Sequence, residues 1–288
     1  MNGTLMDFFQ DDPAALSRYM AGEPFVQDDE HQISMHFAFD ATQSRMRKKD
    51  PNKLVLGYTQ TMMGFLLFQP KPERIAMIGL GGGSLAKYCL WHLPDIHFTA
   101  VEINPSVIAL RNTFEIPPDG DNFTVLCDDG AAYVQNQDEL VDVLLVDGFD
   151  RDGLPSQLGS AKFYDDCYGK LREGGVLVAN LWGGDLEFDI YCARIKESFQ
   201  SQVIVIDSED WGNKIAFAYK GQNFPPSRNI LSERVKKFAP YHTVSLQAVA
   251  KKVMKTLSST DTTRASAALQ NEQPHIEKTG RQIAHTEI

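Results

Sequence analysis

An apolar run that ends in a cluster of glycines constrains this chain more than any other stretch. Arg74-Ile75-Ala76-Met77-Ile78-Gly79-Leu80-Gly81-Gly82-Gly83-Ser84 reads as a strand, a tight turn and the start of a helix, and a second apolar run closes at Val101-Glu102-Ile103-Asn104-Pro105. Glycine lets the backbone turn sharply and approach a ligand closely, because it carries no Cβ. Gly79, Gly81 and Gly83 are therefore the candidate ligand-cradling positions. Glu102 follows Gly83 by 19 positions, close to the roughly 20 expected for an acid that accepts hydrogen bonds from ribose hydroxyls. Ser84 stands where a dinucleotide fingerprint has its third glycine, and a plain strand-to-helix turn is the alternative reading of the glycines alone. Turn and acid together point to a nucleoside-like ligand.

The pattern around this unit is regular. Strands are expected over 74–79, 97–102, 123–127, 141–146 and 175–180, and helices over 84–93, 105–113, 130–135, 161–172 and 185–199. Strands alternating with helices predict a doubly wound, mostly parallel α/β sheet. Val203-Ile204-Val205-Ile206 and the run 214–219, separated by Glu209-Asp210-Trp211-Gly212-Asn213, read as a terminal hairpin that adds an antiparallel strand. Upstream, Ile33, Met35, Phe37 and Phe39 alternate with Ser34, His36 and Ala38, the period of a half-buried strand. The polar stretch 40–52 reads as a turn, and Leu54, Leu56 and Tyr58 as a second strand, so a small β-hairpin domain is expected before the main one. A short helix fits 13–20. Residues 58–68 read as a helix ended by Pro70 and Pro72. The expected division is an acidic N-terminus with a small β domain over 1–57, a nucleoside-binding catalytic domain over 58–257, and a disordered polar tail over 258–288.

Composition narrows the function. A chain of 288 residues with 43% hydrophobic and 23% charged residues is that of an ordinary globular protein. Its formal net charge of −10 argues against nucleic acid as a partner, since phosphate binding rests on clustered Lys and Arg. Cys89, Cys127, Cys167 and Cys192 form no CxxC pair, and the histidines show no HxxxH spacing, so neither zinc nor a disulfide framework is expected. No Ser/His/Asp arrangement stands at a nucleophile elbow. The absence of a long apolar segment, and an opening with Asp7, Asp11 and Asp12, predict no membrane partner and a cytoplasmic setting.

Two further acids sit at strand ends. Ligands of open α/β sheets bind outside the carboxyl ends of the strands, which makes Asp129 in Leu126-Cys127-Asp128-Asp129-Gly130 a candidate for an adenine amino group. Asp128 competes with it, and a helix cap is the alternative for either. The run Asp142-Val143-Leu144-Leu145-Val146-Asp147 projects Asp147 at the same edge, with Asp150 further along the loop. A carboxylate there can hold a substrate amine or take its proton. Tyr58 and Gln60 open a helix near the glycine turn and are read either as ligand contacts or as packing, and Trp211 either as a pocket wall or as a cover for the sheet edge.

These acid- and glycine-bearing strand ends resemble the polyamine aminopropyltransferases, the spermidine and spermine synthase family. The resemblance covers about 30–220 and includes Tyr58-Thr59-Gln60-Thr61-Met62-Met63, the glycine turn, Val101-Glu102-Ile103 with Asn104-Pro105, Asp128-Asp129-Gly130, Leu144-Leu145-Val146-Asp147-Gly148-Phe149-Asp150 and Phe163-Tyr164-Asp165-Asp166-Cys167-Tyr168. It implies a methyltransferase-like, Rossmann-type fold. It also implies transfer of an aminopropyl group from decarboxylated S-adenosylmethionine to a small amine, without metal, by a homodimer. In that reading Glu102 binds the ribose, Asp129 the adenine, and Asp147 is the general base assisted by Asp150.

The chain departs from the family at three places. Gly82 replaces the aspartate that grips the aminopropyl amine, Asp147-Gly148-Phe149-Asp150 replaces Asp-Ser-Ser-Asp, and Glu209-Asp210-Trp211 replaces Thr-Tyr-Pro. The rivals are an S-adenosylmethionine-dependent methyltransferase, favoured by Gly82, and a non-catalytic nucleoside-binding protein. An NAD-dependent oxidoreductase fits the terminal hairpin and Asp129 less well.

Overall fold

The computed structural model describes residues 13–271, apart from positions 39, 40, 94, 152 and 211. Helix α1 (Pro13–Met20) precedes an antiparallel sheet of order β1-β2-β3, formed by Phe25–Asp28, Gln32–Ala38 and Ala41–Arg47. The expected hairpin is thus a three-stranded sheet, and its third strand lies in the stretch read as a turn. Polarity concealed it: in β3 only Ser44 and Met46 face the core, opposite Met35 and Ile33 of β2, while Gln43, Arg45 and Arg47 alternate outward. The second strand expected over 54–58 does not form. That segment leads instead into α2 (Gly57–Met62), which tightens into a 3₁₀ turn over Met63–Leu67.

The main domain alternates as its sequence pattern requires. In chain order it comprises β4 (Arg74–Ile78), α3 (Ser84–His92), β5 (His97–Glu102), α4 (Pro105–Ala109), β6 (Phe123–Cys127), α5 (Gly130–Gln135), β7 (Val141–Val146), α6 (Ala161–Lys170), β8 (Leu171–Trp182), α7 (Phe188–Ser198), β9 (Val203–Asp207) and β10 (Asn213–Tyr219). The seven strands are ordered β6-β5-β4-β7-β8-β10-β9. Neighbours from β6 to β8 run parallel, and β10 is antiparallel to both β8 and β9. The chain steps outward from β4 through β5 to β6, then returns to the other side of β4 as β7. That reversal opens a crevice at the carboxyl ends of β4 and β7.

Both faces of the sheet are buried, and period two divides the residues between them. Ile75, Met77, Val143 and Leu145 belong to one core with Met62 and Phe65 of the α2 segment and Leu85 of α3. Ala76, Ile78, Leu144 and Val146 belong to the other, with Phe163 and Cys167 of α6 and Ile195 of α7. A strand covered on both faces reads as a continuous apolar run, which is why β7 stood out in the sequence. Two helices not assigned from sequence, α8 (Arg228–Phe238) and α9 (Leu246–Asn271), close the first core, where Leu231, Val249 and Val253 are buried. Helix α9 runs through position 258, where the tail was expected to begin, and residues 272–288 lie outside the described residues. Among the described residues no helix is long and apolar enough to cross a membrane.

Candidate active site

The glycine turn leaves β4 at the reversal point, and its first glycine is set by backbone contact. Gly79 adopts φ 91°, and a Cβ there would lie 2.2 Å from the carbonyl oxygen of Asp147. Only a residue without a side chain lets the ends of β4 and β7 approach so closely. The Asp147 amide fixes that approach by donating to the Ile78 carbonyl at 2.9 Å, while the Gly79 amide donates to the Val101 carbonyl at 2.8 Å and ties the turn to β5. Above the turn lies a cleft of about 500 Å³, a size ordinary for small-molecule sites.

Seven of the nine expected site residues line this cleft: Gly79, Gly81, Glu102, Asp129, Asp147, Asp150 and Tyr58. Gly83 does not; it precedes α3 and packs against Ile116. Gln60 does not either, because it lies two residues beyond Tyr58, about 200° around the helix. Its side-chain amide donates to the Leu54 carbonyl at 3.2 Å. Trp211 lies outside the described residues.

Each acid is held by its own strand end. Glu102 is 8% exposed; its Oε2 accepts the Leu80 amide and its Oε1 the Asn104 amide, both at 2.9 Å. One carboxylate thus fastens the glycine turn to the end of β5, and each oxygen keeps a second lone-pair direction for a ligand hydroxyl. Asp129 Oδ1 caps α5 by accepting the Ala131 amide at 2.7 Å, so the helix-cap reading and the cleft position hold together. Asp128 is exposed and accepts the amide of Asp129 at 2.8 Å, away from the cleft lining. Asp150 lies on the exposed loop beyond β7, where its amide donates to the Gly153 carbonyl at 3.0 Å.

Asp147 has the most elaborate surroundings. Its Oδ2 accepts the Tyr58 hydroxyl at 3.1 Å and its Oδ1 the Asn180 side-chain amide at 2.9 Å. Asn180 in turn accepts from the Asn213 amide at 2.9 Å, which ties β8 and β10 to the carboxylate. Burial raises the Asp147 pKa above the usual carboxylate value, the bonds from Asn180 and Tyr58 oppose that rise, and the negative charge of Glu102 adds to it. Burial and the facing Asp147 hold the Tyr58 phenol well above its ordinary pKa, so Tyr58 stays a donor. A carboxylate of raised pKa in a cleft is suited to accepting a proton.

Sequence reasoning missed Asn180 and Asn213, and it missed the wall supplied by the small sheet, where Met35, Gln43 and Ser44 line the cleft. A lone polar residue in Val176-Leu177-Val178-Ala179-Asn180-Leu181 was the available signal for Asn180.

Fold and site together define an α/β protein of methyltransferase-like fold, with a cleft of small-molecule size lined by the carboxylates of Glu102, Asp129, Asp147 and Asp150. Among solved structures, a probable spermidine synthase of Corynebacterium glutamicum superposes with TM-score 0.63 at 19% identity, covering 79% of this chain and 89% of that one. Human methyltransferase-like protein 13, in complex with SAH, gives 0.58 at 22% identity, covering 69% and 94%. These show the shared fold. The model of the spermine/spermidine synthase domain matches residues 55–193. The polyamine aminopropyltransferase of Neisseria meningitidis is 40% identical over 208 residues, 72% of this chain and 78% of the relative. That of Chromobacterium violaceum is 40% identical over 188 residues, 65% and 72% respectively. The chain belongs to the spermine/spermidine synthase family and is a transferase.

Proposed function

We propose that this protein transfers an aminopropyl group from decarboxylated S-adenosylmethionine to a small amine, a step of polyamine biosynthesis. The observation that carries the reading is the Asp147 carboxylate, half-buried at the end of β7 beside the glycine turn and held by Tyr58 and Asn180. In this reading Glu102 accepts the ribose hydroxyls, Asp129 meets the adenine amino group with the oxygen that does not cap α5, and the acceptor amine lies against Asp147 and Asp150. An ammonium must lose its proton before nitrogen can attack. Asp147 takes that proton, the nitrogen lone pair attacks the carbon next to the sulfonium, and the carbon–sulfur electron pair leaves with sulfur as methylthioadenosine. The same reading places a homodimer in the cytoplasm.

Methyl transfer from S-adenosylmethionine is the second reading, and one observation favours it. A Cβ at Gly82 would lie 2.5 Å from Ser44 Oγ and 2.7 Å from the Phe114 ring, so the turn has no room for an acid of its own. Incubation with each nucleoside and a panel of amines, with products identified by mass, separates the two. Aminopropylated amine together with methylthioadenosine supports the first reading; methylated amine alone overturns it.

A further inference from the structure

Helix α2, which presents Tyr58 to Asp147, has no cap of its own: it is preceded by Leu56, with no side-chain hydrogen bond to its first amides. The missing acceptor comes from the turn between β9 and β10. Asp210 Oδ2 accepts the Tyr58 amide at 2.8 Å, across 152 positions of the chain. The first amides of a helix have no intrahelical acceptor, so a side-chain oxygen there is stabilising. Gly57 makes room for it: a Cβ at Gly57 would lie 2.7 Å from Glu209 Cβ and 3.0 Å from Asp210 Oδ1, and a residue without a side chain admits the turn at that distance. The turn is itself held from two sides. Ser208 is buried, and its hydroxyl donates to the Asp210 carbonyl at 2.8 Å and accepts the Asp210 amide at 3.1 Å. From α9, Lys252 Nζ pairs with Glu209 Oε1 at 2.7 Å and donates to the Asp207 carbonyl at 3.0 Å. Asp210 and Lys252 both lie beyond residues 55–193, the span matched by the family model.

We propose that Asp210 is a positioning residue for amine transfer: by holding the Tyr58 backbone from the β9–β10 turn it aims the Tyr58 hydroxyl at Asp147, and Lys252 of α9 keeps that turn in place. The inference rests on Asp147 as the base of the reaction given above. Asp210 does not line the cleft, so it acts through Tyr58. The charged groups that bear on the Tyr58–Asp147 pair are Glu102, on the Asp147 side, and Asp210, on the Tyr58 side, where its negative charge helps to keep the phenol protonated. A hydroxyl that drifts from its acceptor donates a weaker bond. Asp147 then loses part of the interaction that favours its ionised form and keeps its proton to higher pH.

The test is the pH dependence of kcat/KM for aminopropyl transfer by the full chain carrying Asp210→Ala, Gly57→Ala or Tyr58→Phe, and by the two combinations with Tyr58→Phe. Asp210→Ala removes the acceptor. Gly57→Ala leaves Asp210 intact but pushes the turn away, and alanine is itself the better helix former. Each is expected to move the acid limb to higher pH by about half a unit to one unit, less than Tyr58→Phe, because the Tyr58 bond is weakened and not abolished. In the Tyr58→Phe background neither is expected to move the limb further, since residues that act through one another are not additive. An acceptor that only stabilised α2 would lower the melting temperature and leave the limb in place. A limb unmoved in Asp210→Ala and Gly57→Ala while Tyr58→Phe moves it, or shifts that persist in the Tyr58→Phe background, overturn the inference and leave the functional reading standing. A limb unmoved in all three single variants overturns Asp147 as the base, and absence of transfer by the unaltered protein overturns the functional reading; either takes the inference with it.

Discussion

The Tyr58 hydroxyl donates to Asp147 Oδ2 at 3.1 Å, joining residues 89 positions apart. Tyr58 opens the helix that follows the small sheet, and its backbone amide is held by Asp210 Oδ2 at 2.8 Å. One side chain therefore couples the segment before the main sheet, the end of β7 and the turn before β10.

Loss of that bond is expected to move the pH profile. In the proposed reaction ionised Asp147 accepts the proton, so the rate is expected to fall as pH drops through its pKa. The Tyr58 bond lowers that pKa against the rise caused by burial. Tyr58→Phe should shift the acid limb of kcat/KM to higher pH by about one to two units, the worth of one hydrogen bond to a charged group. Asn180→Ala should shift it in the same direction. An unmoved limb in both variants would remove Asp147 as the titrating base.

Asp147→Asn keeps the shape of the side chain and removes the proposed base. The rate of amine transfer is expected to fall roughly 10²–10⁴-fold, while methylthioadenosine affinity, measured by calorimetry, stays within about threefold. Near-normal turnover would sink the general-base assignment.

Glu102→Ala should damage binding and stability together. The Leu80 and Asn104 amides lose their acceptor, and Leu80 is buried. An unpaired buried amide costs about 1–3 kcal/mol. A melting temperature lower by several degrees is expected, with methylthioadenosine affinity reduced at least tenfold. A variant that melts lower yet binds normally would leave Glu102 as a fastener of the turn only.

Lys87 gives a prediction independent of catalysis. The side chain is 2% exposed, and its Nζ donates to the Phe114 carbonyl at 2.5 Å. Burial lowers its pKa from 10.5 to about 8. The native state thus releases a proton that the unfolded chain retains until pH nears 10.5, and stability rises with pH wherever the unfolded state binds more protons. The penalty for the buried charge is complete below about pH 8 and is relieved on the way to the unfolded value, by on the order of 3 kcal/mol. Chemical denaturation from pH 7 to 10.5 should show a steeper gain in stability for the unaltered protein than for Lys87→Met. Parallel curves would refute the buried, charged lysine.

Local pattern determined much of this protein. The strands β4 to β7, the glycine turn, and the strand-end positions of Glu102, Asp129 and Asp147 were legible because a doubly covered strand must be apolar throughout and a close backbone approach needs glycine. Asp129 was preferred to Asp128 in the sequence, but what separates them is tertiary: both lie beyond the end of β6, where Asp129 caps α5 and lines the cleft while Asp128 is exposed. The place of Gln60 was not legible, since a helical turn carries its side chain away from Tyr58. Strand β3 was hidden because a strand with one buried face, carrying Ser44 and Met46, resembles a polar loop in sequence. Whatever depends on distant segments meeting was decided by the tertiary structure alone. The Tyr58–Asp147–Asn180–Asn213 chain and the close approach of Ser44 to Gly82 are contacts of packing, and no spacing along the chain encodes them.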